Sequence, residues 1–258
     1  MLRVTELRKS YDGLVAVRGL TFEVPAGEVL GLVGPNGAGK TTTLRCLAGI
    51  LRPSAGRVEV AGIDLATDPV GAKRLLAFVP DEPHLFEYLT VEEHLRFVAR
   101  LYGVRDAPAR MGPLLDELEL TAKRRALPDE LSRGMKQKLA IACALLHHPQ
   151  VLLLDEPLTG LDPVGIRRMK ATIAARARDG AAVVLSSHLL HLVEQLCTRM
   201  LVVRQGRTVA YGTIDEIVAE RPALAGLPLE ELFVALTEGE AQGDAPRPTD
   251  APLRGAPA

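Results

Sequence analysis

The sequence predicts an α/β fold with a mostly parallel core sheet and helices on both of its faces, and three observations support this. The runs VLGLV (29–33), LLAFV (75–79), VLLLD (151–155), AVVLSS (182–187) and MLVVR (200–204) are apolar at nearly every position. Strands covered on both faces need that continuity, whereas half-exposed strands alternate. A longer stretch of helical period follows each run and supplies the covering helices. The composition agrees, because 258 residues with 47% hydrophobic and 24% charged side chains suffice for one large core or two small ones.

From the N-terminus, LRVTEL (2–7), LTFEV (20–24) and GRVEVAG (56–62) alternate apolar with polar residues. That period of two predicts half-exposed antiparallel strands in a smaller β layer. The stretch from about 83 to 150 reads as an inserted helical subdomain. Its first helix follows Thr90, a good N-cap, with Val91, Leu95, Val98 and Leu101 at helical spacing. A second is expected over about Gly112 to Leu120 and a third over about Ser132 to His147. Residues 1–237 then form the ordered domain. Residues 238–258, rich in Pro, Ala and Gly, lack the apolar side chains to order themselves and are expected to be a flexible tail.

With 31 Lys+Arg against 32 Asp+Glu, the net charge of -1 gives no bulk attraction to nucleic acid, and no nucleic-acid partner is expected. Cys46, Cys143 and Cys197 match no metal-binding or disulfide spacing and read as reduced thiols in a reducing compartment. The opening MLRVTELRKSYDG mixes charge with apolar residues, unlike a signal peptide or anchor. The longest apolar candidates, such as LAIACALL (139–146), fall far short of the roughly 20 residues that span a bilayer. If the chain works at a membrane, another chain must supply the spanning helices.

Directly after VLGLV comes Gly34-Pro35-Asn36-Gly37-Ala38-Gly39-Lys40-Thr41, which fits G-x-x-x-x-G-K-[ST], and Thr42 continues into a helix. Glycines let such a loop turn the N–H groups of successive residues, Asn36 through Thr42, toward phosphate oxygens, and the helix adds its positive end. Lys40 is placed to reach the β and γ phosphates of a nucleoside triphosphate, and the Thr41 hydroxyl to ligate Mg²⁺. The VLLLD strand ends in Asp155 and Glu156. Ligands bind at the carboxyl edge of a parallel sheet, so both acids should face the phosphate loop. Asp155 then holds Mg²⁺, and Glu156 accepts the proton of the attacking water.

Further motifs resemble the ATP-binding cassette (ABC) ATPase family over about residues 2 to 237. Pro157-Leu158-Thr159-Gly160-Leu161-Asp162 is similar to its D-loop, Ser187-His188 to its switch histidine, and Leu131-Ser132-Arg133-Gly134-Met135-Lys136-Gln137 to its LSGGQ signature. Tyr11 stands where the family stacks an aromatic on adenine. The resemblance implies a P-loop NTPase of ABC type that binds ATP and Mg²⁺. It also implies that Ser132, Gly134 and Asp162 meet a nucleotide held by a second copy or a related subunit, and that Glu156 and His188 act in hydrolysis. The implied partner is a membrane permease, with this chain peripheral on the cytoplasmic face.

Two departures from the family pattern stand out. Asp81 replaces the usual Gln after Pro80, bringing a carboxylate able to ligate Mg²⁺ and to act at the catalytic centre, but also added negative charge beside Glu156. Arg133 and Met135 replace Gly and Gln in the signature. The degenerate signature, PDEPHLFEYLTVEEHLRFVARLYG and the LPLEELFVALTEG ending resemble the ATPases of exporter-type (ABC-2) transporters. The segment Asp81 to Thr90, with Phe86 and Tyr88, is a candidate docking surface; alternatively those aromatics belong to the helical subdomain's core. A soluble ABC ATPase in a cytosolic assembly such as iron-sulfur biogenesis is the rival expectation.

Overall fold

The computed structural model describes residues 1–238, and the expected tail lies almost wholly outside them. The chain opens with the antiparallel strands β1 (Leu2–Tyr11) and β2 (Leu14–Val24). Strand β3 (Val29–Val33) leads into helix α1 (Lys40–Leu47), then β4 (Ala55–Val60), β5 (Ile63–Asp64), α2 (Pro69–Arg74) and β6 (Leu76–Val79) follow. The helical subdomain carries α3 (Val91–Tyr102), α4 (Ala107–Glu117) and α5 (Arg133–Leu145). The chain returns through β7 (Val151–Asp155), α6 (Pro163–Arg178), β8 (Ala182–Ser186), α7 (Leu190–Leu196), β9 (Arg199–Arg204), β10 (Arg207–Gly212), α8 (Ile214–Glu220) and α9 (Leu229–Glu238).

Two sheets result, an antiparallel one ordered β2-β1-β4-β5 and a six-stranded one ordered β10-β9-β3-β8-β7-β6. Strands β3, β6, β7, β8 and β9 run parallel, and only β10 is antiparallel to its neighbour. Alternate residues of β7 feed opposite cores: Leu152 and Leu154 pack with the helical subdomain, Val151 and Leu153 with the antiparallel layer and α1. That two-sided burial is the physical reason for the uninterrupted apolar runs. A third core lies where Met200 and Val202 of β9 meet α7 and α9. Because β3, β8, β7 and β6 lie side by side and parallel, the residues that follow them gather on one edge of the sheet.

The helix boundaries show where local signals were enough. Thr90 caps α3 in a full capping box, its hydroxyl accepting from the Glu93 N–H at 3.3 Å while the Glu93 carboxylate accepts from the Thr90 N–H at 2.8 Å. Helix α4 differs from the expectation of Gly112 to Leu120: it starts at Ala107, with Pro108 in its first turn, and carries Gly112 and Pro113 inside. Proline suits a first turn because the N–H it lacks has no partner there, so Pro108 rather than Gly112 marks the start. At the other end Glu119 adopts a positive φ of 59° and closes the segment. Leu101, expected on the buried stripe of α3, is exposed. The three cysteines are free, and burial pushes the thiols up to about 11 for Cys46 and about 12 for Cys143 and Cys197. Among the described residues no helix is long and apolar enough to cross a membrane.

Candidate active site

The phosphate loop is shaped by backbone contacts that tolerate no side chain. A Cβ on Gly39, whose φ is 102°, would stand 2.5 Å from the Ala16 carbonyl oxygen, and one on Gly34 would stand 2.2 Å from that of Val203. The tight turn between β9 and β10 supports the loop from behind. Gln205 and Gly206 both take positive φ, as a two-residue hairpin turn of this twist requires, and the Gly206 N–H donates to the Ala38 carbonyl at 3.0 Å. Lys40 opens α1, and its ammonium donates to the carbonyls of Gly34 at 2.7 Å and Pro35 at 3.2 Å. Burial lowers its pKa, while the charges of Glu156 and Asp155 oppose that shift.

The loop forms one wall of a cleft of about 560 Å³ lined by residues 36–42, Asp81, Asp155, Glu156 and His188, joined by Ala16 and Thr159. Asp155 is 2% exposed at the end of β7 and accepts from the Ser186 hydroxyl at 2.5 Å. Glu156, at φ 49°, is held in a left-handed conformation that a non-glycine residue seldom adopts without a structural demand. Its N–H donates to the Ser186 hydroxyl at 3.1 Å, which turns the side chain back over the sheet edge. There its carboxylate meets His188 Nδ1 at 2.8 Å and accepts more weakly from the His188 N–H at 3.4 Å. Burial raises the Glu156 pKa above the ordinary carboxylate value, and His188 and Lys40 pull it partly back.

Asp81 reaches the same cleft from the end of β6. Its Oδ1 is out of solvent without a hydrogen-bond partner, and its ion pair is with Arg133 at 3.7 Å. The donors fit a magnesium ion: Thr41 offers a hydroxyl and Asp155 and Asp81 carboxylates, one with an unpartnered oxygen. Among the described residues no three or more His, Cys, Asp or Glu gather to hold a metal unaided. Mg²⁺ is usually bound by one or two carboxylates together with waters and substrate phosphates, and Asp155 and Asp81 are two carboxylates on the wall of this cleft.

The other expected residues lie elsewhere. Ser132 caps α5, its hydroxyl accepting from the Met135 N–H at 3.3 Å. Gly134 packs against the Gly160 carbonyl, and Asp162 caps α6 by accepting from the Gly165 N–H at 2.6 Å. Within one chain none of the three lines the cleft, and neither does Tyr11, which sits under the Lys9 ammonium at 4.8 Å. Thr159 and Ala16 line the cleft without having been singled out in the sequence. Thr159 lies in the quoted D-loop run, whereas nothing local marks Ala16.

Known proteins resemble this chain in sequence and in fold. The ABC transporter family model matches residues 17–159. The chain is 33% identical over 243 residues to the ABC-type transporter ATP-binding protein EcsA of Bacillus subtilis, covering 93% of this chain and 98% of that protein. It is 40% identical over 209 residues to the Nod factor export ATP-binding protein I of Burkholderia pseudomallei, covering 80% and 69% respectively. A solved ATP-binding subunit of an ABC transporter superposes with a TM-score of 0.87 at 38% identity, over 92% of this chain and 99% of that one. A dimeric bacterial ABC transporter cassette, 23% identical, shares the fold with a TM-score of 0.76 over 83% and 99%. On its motifs, its fold and these likenesses, the chain belongs to the ABC transporter family.

Proposed function

We propose that this chain binds and hydrolyses ATP as the ATPase subunit of a transporter, closing a dimer around two nucleotides to drive a separate membrane permease of exporter type. The observation that carries this reading is the Glu156–His188 pair, 2.8 Å apart, facing the phosphate loop across one cleft. The loop N–H groups and Lys40 bind the phosphates. Thr41, Asp155 and Asp81 are the residues that would hold Mg²⁺, which supplies charge neutralisation when bound. Glu156 takes the proton of the attacking water, and His188 orients the carboxylate that takes it. Ser132, Gly134 and Asp162 are free of the cleft in their own chain, so they are available to complete the site of a second subunit. Tyr11, exposed at the end of β1 and outside the cleft lining, is the aromatic that the family resemblance assigns to stacking on adenine. Export is favoured by the name of the Nod factor relative. The chain then works on the cytoplasmic face of the membrane.

The permease reading has its own surface. Phe78, Leu85, Phe86, Phe97, Leu101 and Tyr102 line a groove of about 340 Å³ between β6 and the helical subdomain. Phe86 packs edge-on against Phe97, with ring centroids 5.1 Å apart, yet stays half exposed, so it serves both the subdomain and the groove. Tyr88 and Leu101 project freely, at 88% and 68% exposure, and make the clean test. Tyr88→Glu with Leu101→Glu should lower the membrane-bound share of the subunit at least about tenfold, a loss of about 1.4 kcal/mol, and leave ATP affinity unchanged. Membrane fractionation checks it, and undiminished membrane binding contradicts this surface.

The electrostatics of Glu156 set a pH dependence. Only the carboxylate form accepts a proton, so turnover falls as pH drops through a pKa that burial has raised. His188→Ala removes the imidazole charge and hydrogen bond that pull that pKa down, so the acid limb of kcat should move to higher pH. Profiles of both proteins check this, and an unmoved limb would remove His188 from contact with the base.

A further inference from the structure

We propose that Arg133 is a positioning residue for Asp81, holding its carboxylate at the cleft wall and competing for it with the nucleotide's metal. The inference rests on the magnesium–ATP reading of the cleft and adds a residue from another subdomain to it. Asp81 belongs to the edge of the core sheet, Arg133 to the first turn of α5, and their side chains meet at 3.7 Å. That distance is an ion pair without a hydrogen bond, and Asp81 Oδ1, shielded from water, has no other partner to satisfy it. An acceptor so placed is poised to exchange one cation for another.

The Arg133 side chain is 61% exposed, but its stem packs against the loop after Glu156. Its Cδ and Cγ come within 3.2 and 3.4 Å of the place a Cβ would take on Gly160, which at φ 78° has no side chain to keep the stem away. The same loop carbonyl, that of Gly160, lies 2.9 Å from the Cβ position of Gly134. Three segments therefore meet around one guanidinium: the end of β6, the start of α5 and the loop after Glu156. The chemistry needs it, because Asp81 adds negative charge to a cleft already holding Asp155 and Glu156. Asp81 and Arg133 are both departures from the ABC pattern, and their charges are opposite.

Competition has a measurable sign. With Arg133→Gln the carboxylate is released to the metal, and the Mg²⁺ concentration giving half-maximal binding of a nonhydrolysable ATP analogue should fall about threefold to fivefold, the scale of an exposed ion pair. Arg133→Lys should restore the original dependence. In an Asp81→Asn background, Arg133→Gln should shift nothing. Calorimetric titration of the full chain at stepped Mg²⁺ reads all of these without turnover. An unchanged Mg²⁺ dependence in Arg133→Gln, or a shift that persists in the Asp81→Asn background, would overturn the pairing. Failure of the unsubstituted chain to bind the analogue with Mg²⁺ would instead contradict the reading of the cleft, and the pairing with it.

Discussion

Glu156→Gln is expected to lower kcat for ATP at least about 100-fold while leaving ATP binding in place, since a positioned general base contributes roughly 10² to 10⁴ in rate. The amide keeps the size of the carboxylate and can still meet His188, but it cannot accept the proton of water. The left-handed backbone at Glu156 is set by its N–H bonds to Ser186, which the substitution does not touch, so the loop should hold its shape. Phosphate release measured beside equilibrium nucleotide binding separates the two effects. Turnover within tenfold of the unsubstituted chain would remove Glu156 from the chemistry.

Lys40→Ala acts one step earlier. The ammonium now rests on the Gly34 and Pro35 carbonyls, holding the loop closed on itself, and it is the cationic side chain placed among the loop's N–H groups. Hydrogen bonds to a charged group are worth about 1.5 to 3 kcal/mol each, and losing two of them, one to each of the β and γ phosphates, should lower ATP affinity at least about 100-fold. The fold should survive, because Lys40 is only half-buried and α1 keeps Leu44, Cys46 and Leu47 in the core. Undiminished affinity in a filter-binding assay, with an unchanged circular dichroism spectrum, would refute the phosphate loop.

The parts of this site that were legible in the sequence are those encoded by contiguous residues. A buried strand followed by a glycine-rich turn and a helix, or by two acids, carries its own geometry, and the structure places residues 36–42, Asp155 and Glu156 in one cleft as those runs imply. His188 and Asp81 were reachable through the family resemblance, which marks the positions just after two core strands. What was not legible depends on residues far apart in the chain. The turn at Gln205 and Gly206 supports the phosphate loop through one bond to Ala38, and no local pattern announces it. The Arg133–Asp81 contact joins two subdomains in the same way. In α4 the error was local: Pro108 was the stronger start signal, and Gly112 and Pro113 drew the boundary inward.

The central claim is that ATP closes two copies of this cleft against one another, with Ser132, Gly134 and Asp162 of each chain completing the site of the other. Light scattering of Glu156→Gln, with and without ATP, tests it most directly, because the bound nucleotide is not consumed. The expected result is a mass that doubles on adding ATP and stays single when the chain also carries Lys40→Ala. A chain that binds ATP and keeps the mass of one copy would contradict the claim.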